Sequence, residues 1–201
     1  MAIEKETEER IFEAAQRVFQ LRGFEGARMQ EIADEAGINK SMLHYYFRSK
    51  NALFQEVFKS GVKKIMPALF GILAKDKTLR EKVVQIVNFY HDVYLENTHL
   101  PAFVVYEMNQ NPERFKEFIK SMDMHLPEEF IEQVEEGVAS GKMRGIAPDQ
   151  FLINVISLCM MPMIARNMAQ TLFHLDDNEY DSFLNERREL IPNLIFNGVI
   201  L

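Results

Sequence analysis

The residues able to do acid–base, nucleophilic or metal chemistry are scattered along the chain. They are His91 with Asp92, His99, His125, His174 and Cys159. Neighbours at i and i+1 on a helix point apart, so His91 and Asp92 do not form a base and its orienting partner. The spacing of histidine and cysteine fits no metal site, and no G-x-S-x-G, P-loop or G-x-G-x-x-G is present. The sequence therefore predicts no enzyme, no metal site and no cofactor.

Polar and aromatic groups are arranged differently in residues 28–54, RMQEIADEAGINKSMLHYYFRSKNALF. The i, i+3, i+4 spacing of an amphipathic helix is followed by Met29, Ile32 and Ala33. Gly37 then permits the positive φ of a tight turn, and Asn39 is a good N-cap for a second helix. Two short helices joined by a glycine turn are typical of helix-turn-helix proteins that read DNA.

The second helix of this pair is predicted to present a reading surface. One face carries Leu43, Tyr46 and Phe47, and the other carries Lys40, Ser41, His44 and Tyr45. The chain has a net charge of −7, yet residues 36–55 contain no Asp or Glu. A local cationic patch attracts the phosphate backbone, while the acidic remainder discourages non-specific binding.

The next helix is predicted to hold a phosphate. Ser49 can cap that helix, and its first-turn amides together with Lys50 would form the clamp. The predicted DNA-binding residues are Arg28, Gln30, Asn39, Lys40, Ser41, His44, Tyr45, Tyr46 and Lys50.

The segment GINKSMLHYYFRSKNALF, preceded by MQEIADEAG, resembles the DNA-binding domain of TetR-type repressors. The resemblance covers residues 8–56, about a quarter of the chain. It implies an all-helical homodimer with a small-molecule pocket in each sensor domain. The family usually opens the first reader helix with Thr or Ser, where this chain has Ala27-Arg28, so an Arg–phosphate contact would replace that cap. The family often has Tyr where His44 stands, so the operator sequence does not carry over.

The rest of the chain also follows helical periodicity, without a sustained period of two. The predicted fold is all-α, with an N-terminal three-helix helix-turn-helix domain over residues 1–49 and a larger helical ligand-binding and dimerisation domain over residues 50–201. Three predicted helices matter below. They run from a cap at Thr7 to Gly23, from Lys50 to about Met66, and from Pro148 to about His174.

The second domain is predicted to pair with a second copy and to bind an effector. The helix from Phe151 to Ala165 is apolar nearly all round, and the last helix spreads its apolar residues over more than one stripe. One chain can hardly cover the apolar surfaces of both helices, which favours a dimeric four-helix bundle. The predicted pocket for a small, mainly lipophilic ligand comprises Tyr90, Tyr94, Phe103, Tyr106, Met160 and Met163.

Other features indicate a cytoplasmic protein that does not contact membrane. The N-terminus lacks an apolar signal core, the single cysteine fits a reducing compartment, and the apolar run from Phe151 to Ala165 is too short to span a bilayer. We expect a DNA-binding regulator, most simply a repressor released by its ligand from a pseudo-palindromic double-stranded operator. The alternatives are a helical small-molecule carrier and a DNA-binding regulator controlled by a protein partner.

Overall fold

A computed structural model describes residues 2–110 and 112–199, with all their side chains except those of residues 2–5, 114, 198 and 199. Over these residues the chain is helical and contains no β-strand, so the predicted all-α fold is confirmed. The helices are α1 Ala2–Gly26, α2 Met29–Glu35, α3 Lys40–Tyr46, α4 Lys50–Leu73, α5 Leu79–Glu96, α6 Leu100–Gln110, α7 Pro112–Ser121, α8 Glu128–Ala139, α9 Pro148–Ile164, α10 Arg166–Phe173 and α11 Asp177–Val199.

The helices form two compact units. The N-terminal unit comprises Met1–Ile65 and Ala102–Phe118, and the C-terminal unit comprises Met66–Pro101 and Ile119–Leu201. Helices α4, α6 and α7 therefore contribute residues to both units. The functional division predicted after residue 49 stays a prediction.

The core of the N-terminal unit forms where α1, α2, α3 and the start of α4 meet. Its buried apolar residues include Ile11, Ala14, Ala15, Phe19, Ile32, Ala33, Leu43, Leu53 and Phe54. At Gly23 the backbone leaves the helical conformation, with φ 67° and ψ 177°, at the predicted end of the first helix. The turn brings Phe24 edge-on to Phe54, with ring centroids 4.9 Å apart. Aromatic packing therefore joins the end of α1 to the start of α4.

Two predicted helix limits in this region were wrong. Helix α1 begins at Ala2, so Thr7 is buried inside it and does not cap it. Helix α4 continues through Pro67 to Leu73. Proline leaves the carbonyl four residues earlier without a helical partner. Here that residue is Lys63, which is exposed, so water can hydrate its carbonyl and the helix continues.

In the C-terminal unit, α5 packs against α9 and α11, and α8 packs against α5 and α9. The single helix predicted from Pro148 to His174 was wrong, because α9 ends at Ile164 and α10 leaves it at 72°. Ala165 has φ −98° and ψ 29°, which ends α9.

Side chains of α11 satisfy two carbonyls at this bend. Pro162 has no N–H, so the carbonyl of Leu158 loses its helical donor. Arg187 Nη2 donates to that oxygen at 2.9 Å. The Tyr180 hydroxyl donates to the carbonyl of Pro162 at 2.7 Å. Each bond contributes about 1 kcal/mol net and pairs a partly buried oxygen.

No single helix among the described residues is long and apolar enough to cross a membrane. Helices α9 and α10 reach that length and apolarity only as a pair, across their 72° bend.

Lys82 on α5 is the unexpected residue of this core. Its side chain is 0% exposed, and its Nζ has no hydrogen-bond partner among the described residues. Burial lowers the pKa of Lys82, although the carboxylates of Glu129 and Asp76 oppose that shift. A buried ammonium without hydrogen bonds destabilises a fold.

We expect Lys82→Met to raise the free energy of unfolding at pH 7 by about 1 kcal/mol, because methionine fills similar space without a charge. Folding lowers the Lys82 pKa, so the wild-type penalty is full below the folded-state pKa. It disappears as the pH rises past the ordinary value of 10.5. Urea unfolding of the wild type and of Lys82→Met at pH 7 and pH 10 measures the gain in free energy of unfolding at pH 7 and its decrease at high pH. Lys77→Met, at an exposed site, serves as the control. A less stable Lys82→Met protein at pH 7 would contradict this account.

Candidate nucleic-acid interface

Helices α2 and α3 form the predicted helix-turn-helix. Ile32 and Ala33 of α2 and Leu43 of α3 are completely buried. Gly37 occupies the turn with φ 66°. Asn39 caps α3, because its Oδ1 accepts a hydrogen bond from the Met42 amide at 2.8 Å. The predicted turn and the predicted cap are both confirmed.

The turn is held from outside by α1. Arg10 Nη2 donates a hydrogen bond to the carbonyl of Ala36. A Cβ added at Gly37 would lie 2.9 Å from the same Nη2 atom. The left-handed φ therefore favours glycine, and a Cβ would also displace the end of the Arg10 side chain that binds the Ala36 carbonyl. Arg10 was not predicted from the sequence, because nothing local in the chain marks a contact across 26 positions.

Ion pairs attach α2 to α1 on the exposed side. Arg17 Nε lies 2.9 Å from Glu35 Oε1, and Arg22 Nε lies 3.4 Å from Glu31 Oε1. Such exposed pairs contribute about 0.2–1 kcal/mol each. They neutralise two carboxylates of α2.

The outward face of α3 is accessible along its whole length. Lys40, Ser41 and His44 are exposed, and Tyr45 is 78% exposed. Tyr46 is half-buried and packs edge-on against the Tyr45 ring, with centroids 5.4 Å apart. A helix with its apolar face buried and a polar, aromatic face free fits the major groove of DNA. The DNA contacts of these five residues stay predictions.

The other predicted DNA-binding residues of α2 and the turn differ in how they are held. Arg28 occupies the N-cap position of α2, is exposed, and makes no side-chain capping bond. Gln30 Nε2 donates to Asp34 Oδ1 at 2.7 Å, which orients the amide on the exposed face of α2. Asn39 uses its side-chain oxygen for the cap. An Arg28–phosphate contact in place of a cap stays a prediction.

Lys50 is bound differently from what a phosphate clamp would require. Its ammonium donates to the carbonyls of Phe24 at 2.8 Å, Ala27 at 3.1 Å and Glu25 at 3.5 Å. It also lies 4.4 Å from the centroid of the Phe24 ring. These contacts attach the end of α1 to the start of α4. The predicted phosphate contact would have to replace some of them.

Ser49 and α4 provide the second part of the predicted clamp. Ser49 Oγ accepts a hydrogen bond from the Ala52 amide at 3.1 Å, as expected of an N-cap. The remaining amides of the first turn stand at the positive end of the helix dipole, where an anion binds favourably. A phosphate there stays a prediction.

The six predicted ligand-binding residues are divided between the two units. Phe103 and Tyr106 belong to the N-terminal unit, where Phe103 packs against Phe54 with ring centroids 5.5 Å apart and Tyr106 is exposed. The other four, in the C-terminal unit, are Tyr90, Tyr94, Met160 and Met163.

In the C-terminal unit the predicted ligand residues are largely part of the core. Tyr90, Tyr94 and Met163 are buried, and Met160 is half-buried. Burial raises the pKa of Tyr90, so its hydroxyl stays protonated. The Tyr94 hydroxyl accepts a hydrogen bond from Arg166 Nη1 at 3.2 Å. Their role in ligand binding stays a prediction.

The residues considered for catalysis are not arranged for it. His91 Nδ1 lies 3.9 Å from Asp92 Oδ1, beyond hydrogen-bond distance. Burial raises the pKa of Cys159 to about 12, so the thiol is not a nucleophile at neutral pH. Among residues 2–110 and 112–199, no three His, Cys, Asp or Glu side chains are grouped as metal ligands.

We expect Gly37→Ala to lower the free energy of unfolding by about 1–2 kcal/mol from the left-handed backbone alone, with a further loss from Arg10. Gly141→Ala is the matched control. Gly141 follows the C-cap of α8 as Gly37 follows that of α2, has φ 71°, and a Cβ there meets nothing within 4 Å. Chemical denaturation of both variants compares them. Equal losses would mean that the Arg10 contact does not contribute to the turn.

Two family descriptions match the chain in order. Residues 11–57 match "Bacterial regulatory proteins, tetR family". Residues 80–195, more than half of the chain, match "Tetracyclin repressor-like, C-terminal domain". The first match contains α2, the turn and α3, and the second extends from α5 into α11.

Similar curated proteins extend over most of the chain. The "Probable HTH-type transcriptional regulator YttP" of Bacillus subtilis is 25% identical over 203 residues, covering 96% of this chain and 95% of that protein. The "HTH-type transcriptional repressor NicS" of Pseudomonas putida is 27% identical over 180 residues, covering 85% and 82%.

Solved structures share the fold at low identity. A TetR transcriptional regulator from Chloroflexus aurantiacus is 19% identical, with 100% of both chains covered and a TM-score of 0.67. The fatty acid degradation regulator FadR from Bacillus halodurans is 17% identical, with 94% of both chains covered and a TM-score of 0.64.

These matches confirm the predicted non-enzymatic regulator class. The helix-turn-helix lies inside the matched DNA-binding segment, and the matched proteins are named as transcriptional regulators rather than enzymes. The chain belongs to the TetR family of bacterial DNA-binding transcriptional regulators.

Proposed function

We propose that the protein is a homodimeric repressor. It reads a pseudo-palindromic operator through α3 and is released by a small, mainly lipophilic ligand bound in the C-terminal unit. The observation that carries the proposal is the free face of α3, with Lys40, His44 and Tyr45 exposed in a segment that lacks acidic residues. Side chains on this face contact base edges, while Arg28 and the start of α4 contact phosphates.

The apolar surface of the C-terminal unit supports dimerisation. Large apolar side chains on α9, α10 and α11 are exposed in one chain. They are Ile153, Met161, Ile164, Met168, Leu172, Phe173, Leu190 and Leu194. A mainly apolar cleft of about 490 Å³ lies between α9 and α11 and includes Phe151, Leu158 and Leu194. A second copy related by a two-fold axis would cover both helices in a four-helix bundle.

A two-fold dimer implies a two-fold operator. Each α3 would read one half-site, and the half-sites would lie about one helical turn of DNA apart or a multiple of that. The name repressor is attached to NicS, which is similar over most of this chain. We therefore propose that this protein also represses transcription.

The ligand class follows from the chain's own residues. Methionine side chains such as Met160 and Met163 adapt to apolar guests, and the tyrosines nearby on α5 offer hydroxyls. The Bacillus halodurans protein is named for fatty acid degradation, but at 17% identity its likeness is one of fold. A ligand bound among these helices would favour one arrangement of the two reading units over another.

A narrow interior favours a second candidate function. The cleft beside Met163, His91 and Cys159 has a volume of only about 10 Å³, which is less than a lipophilic ligand needs. Control by a protein partner requires no interior space. Adding a panel of lipophilic small molecules to the purified protein bound to its DNA distinguishes the two candidate functions. Only control by a lipophilic ligand predicts that the protein is released from the DNA.

The test of the main proposal is selection of bound duplexes from a random DNA pool with the full chain. An enriched inverted repeat supports a two-fold dimer that reads sequence. Enrichment of a single half-site, or of no sequence, contradicts the proposal.

We expect His44→Ala and Tyr45→Ala each to weaken binding to the selected DNA by about 1–3 kcal/mol, with unchanged thermal stability, because both side chains are exposed on α3. Fluorescence anisotropy at fixed salt measures the affinity. Leu21→Ala, an exposed site on α1, is the control and should bind normally. Normal operator affinity in both α3 variants would exclude this face as the reading surface.

We expect Leu194→Asp to yield monomers with their helices intact, because Leu194 is 50% exposed in one chain and would be buried only by a second. An unpaired carboxylate buried there costs several kcal/mol. Ile195 is unsuitable for this test, because it is already buried within its own chain.

Sedimentation velocity measures whether the variant is monomeric, and circular dichroism measures its helix content. Leu95→Asp on α5, where the leucine is 59% exposed, is the matched control and should leave the assembly unchanged. A dimeric Leu194→Asp protein would exclude this part of α11 from the interface.

A further inference from the structure

The outward side chains of α3 form two edges of different chemistry. Residues three and four positions apart are neighbours on the surface of a helix. Lys40 and His44 are four apart and both exposed, so they form a polar edge. Met42, Tyr45 and Tyr46 have the same spacing, and they form an apolar and aromatic edge. The 3.6-residue turn of the helix places the two edges on opposite flanks of its outward face.

The apolar edge is accessible from outside the chain. Met42 is 37% exposed and Tyr45 is 78% exposed. The Tyr45 ring is steadied by the half-buried Tyr46, with the ring centroids 5.4 Å apart. Leu43 is the buried residue of α3, so the core contact of this helix does not come from Met42. The Met42 side chain is therefore available to a partner that α3 meets.

The position of Met42 on α3 limits how it can contact DNA. Its amide donates a hydrogen bond to Asn39 Oδ1 at 2.8 Å, so the N–H is already used by the helix cap. Any contact that Met42 makes with DNA must then come from its side chain. Met42 is the third residue of α3, and the first residues of a recognition helix are those that contact base edges.

The chemistry of the side chain limits which base it can distinguish. A thioether is a weak acceptor and has no hydrogen to donate, so it reads the polar groups of the bases poorly. In the major groove the C5-methyl of thymine is the apolar group that marks one base pair from the others. A flexible, polarizable methionine packs well against such a group.

We propose that Met42 selects thymine in the operator through van der Waals contact with its C5-methyl group. The contact rests on the proposed function, in which α3 reads DNA, and it adds a base preference to that function. Lys40, on the other edge of α3, carries only donors, which suit O6 and N7 of guanine. The two edges would thus read different bases.

The test compares thymine with uracil in the duplex obtained by selection from the random pool. Replacing one thymidine by deoxyuridine removes the C5-methyl and keeps every hydrogen-bonding group of the base. We expect uracil at one position of each half-site to weaken binding of the full chain about fourfold, which corresponds to about 0.8 kcal/mol for one methyl group. Fluorescence anisotropy at fixed salt measures the affinities.

Variants assign the effect to Met42. Met42→Ala should bind the thymine and uracil duplexes equally, because the group that contacts the methyl is gone. Alanine favours helix and the site is exposed, so thermal stability should be unchanged. Lys40→Ala is the matched control from the other edge. It should bind both duplexes more weakly and keep the fourfold difference between them. A fourfold preference for thymine that survives in Met42→Ala overturns the proposal.

The selection also separates this proposal from the one on which it rests. An enriched inverted repeat that tolerates uracil at every thymine, or that contains no thymine, overturns the Met42 contact and leaves the reading function of α3 intact. Enrichment of no sequence overturns both. A loss of affinity with uracil that disappears in Met42→Ala and persists in Lys40→Ala supports the contact.

Discussion

The presentation of α3 depends on the left-handed backbone at Gly37. With φ 66°, that residue turns the chain sharply enough for Leu43 to reach the core beside Ile32. Arg10 binds the carbonyl just before it, so α1 fixes the turn as well as α2. A helix that reads DNA must be held rigidly, because side chains distinguish base pairs only when they are positioned precisely against the base edges. The exposed side chains of α3 therefore depend for their position on an arginine of α1 that binds the turn.

A comparable constraint operates in the C-terminal unit, where α9 bends into α10. Pro162 leaves the carbonyl of Leu158 without a helical donor, and Arg187 of α11 donates to that carbonyl instead. Tyr180, also on α11, donates to the carbonyl of Pro162 itself. These two bonds to partly buried oxygens help to fix the position of α11 against α9. Both helices also carry large apolar side chains that are exposed in one chain. A surface proposed to pair with a second copy is thus kept rigid by polar bonds behind it.

The helix-turn-helix could be predicted from sequence because its signals are local: a glycine, then an Asn cap, within a few residues of each other. The break after α9 could not, although Pro162 was visible. Pro67 lies inside α4 and interrupts nothing. Pro162 likewise lies inside α9, which ends two residues later at Ile164, and the carbonyl that it opens at Leu158 is satisfied by Arg187, 29 residues away. The predicted ligand residues are divided between the two units for a similar reason. The walls of a pocket come from residues far apart in the chain, and local patterns do not show which of them meet.

Lys50 shows how a phosphate contact and a fold contact compete. Its ammonium binds carbonyls at the end of α1, so a contact with DNA would contribute only the difference between a phosphate and those oxygens. That difference is small beside the base contacts proposed for α3. Phe24 also carries the Lys50 ammonium on its ring, so a phosphate that drew Lys50 away would have to replace this contact as well as the carbonyls.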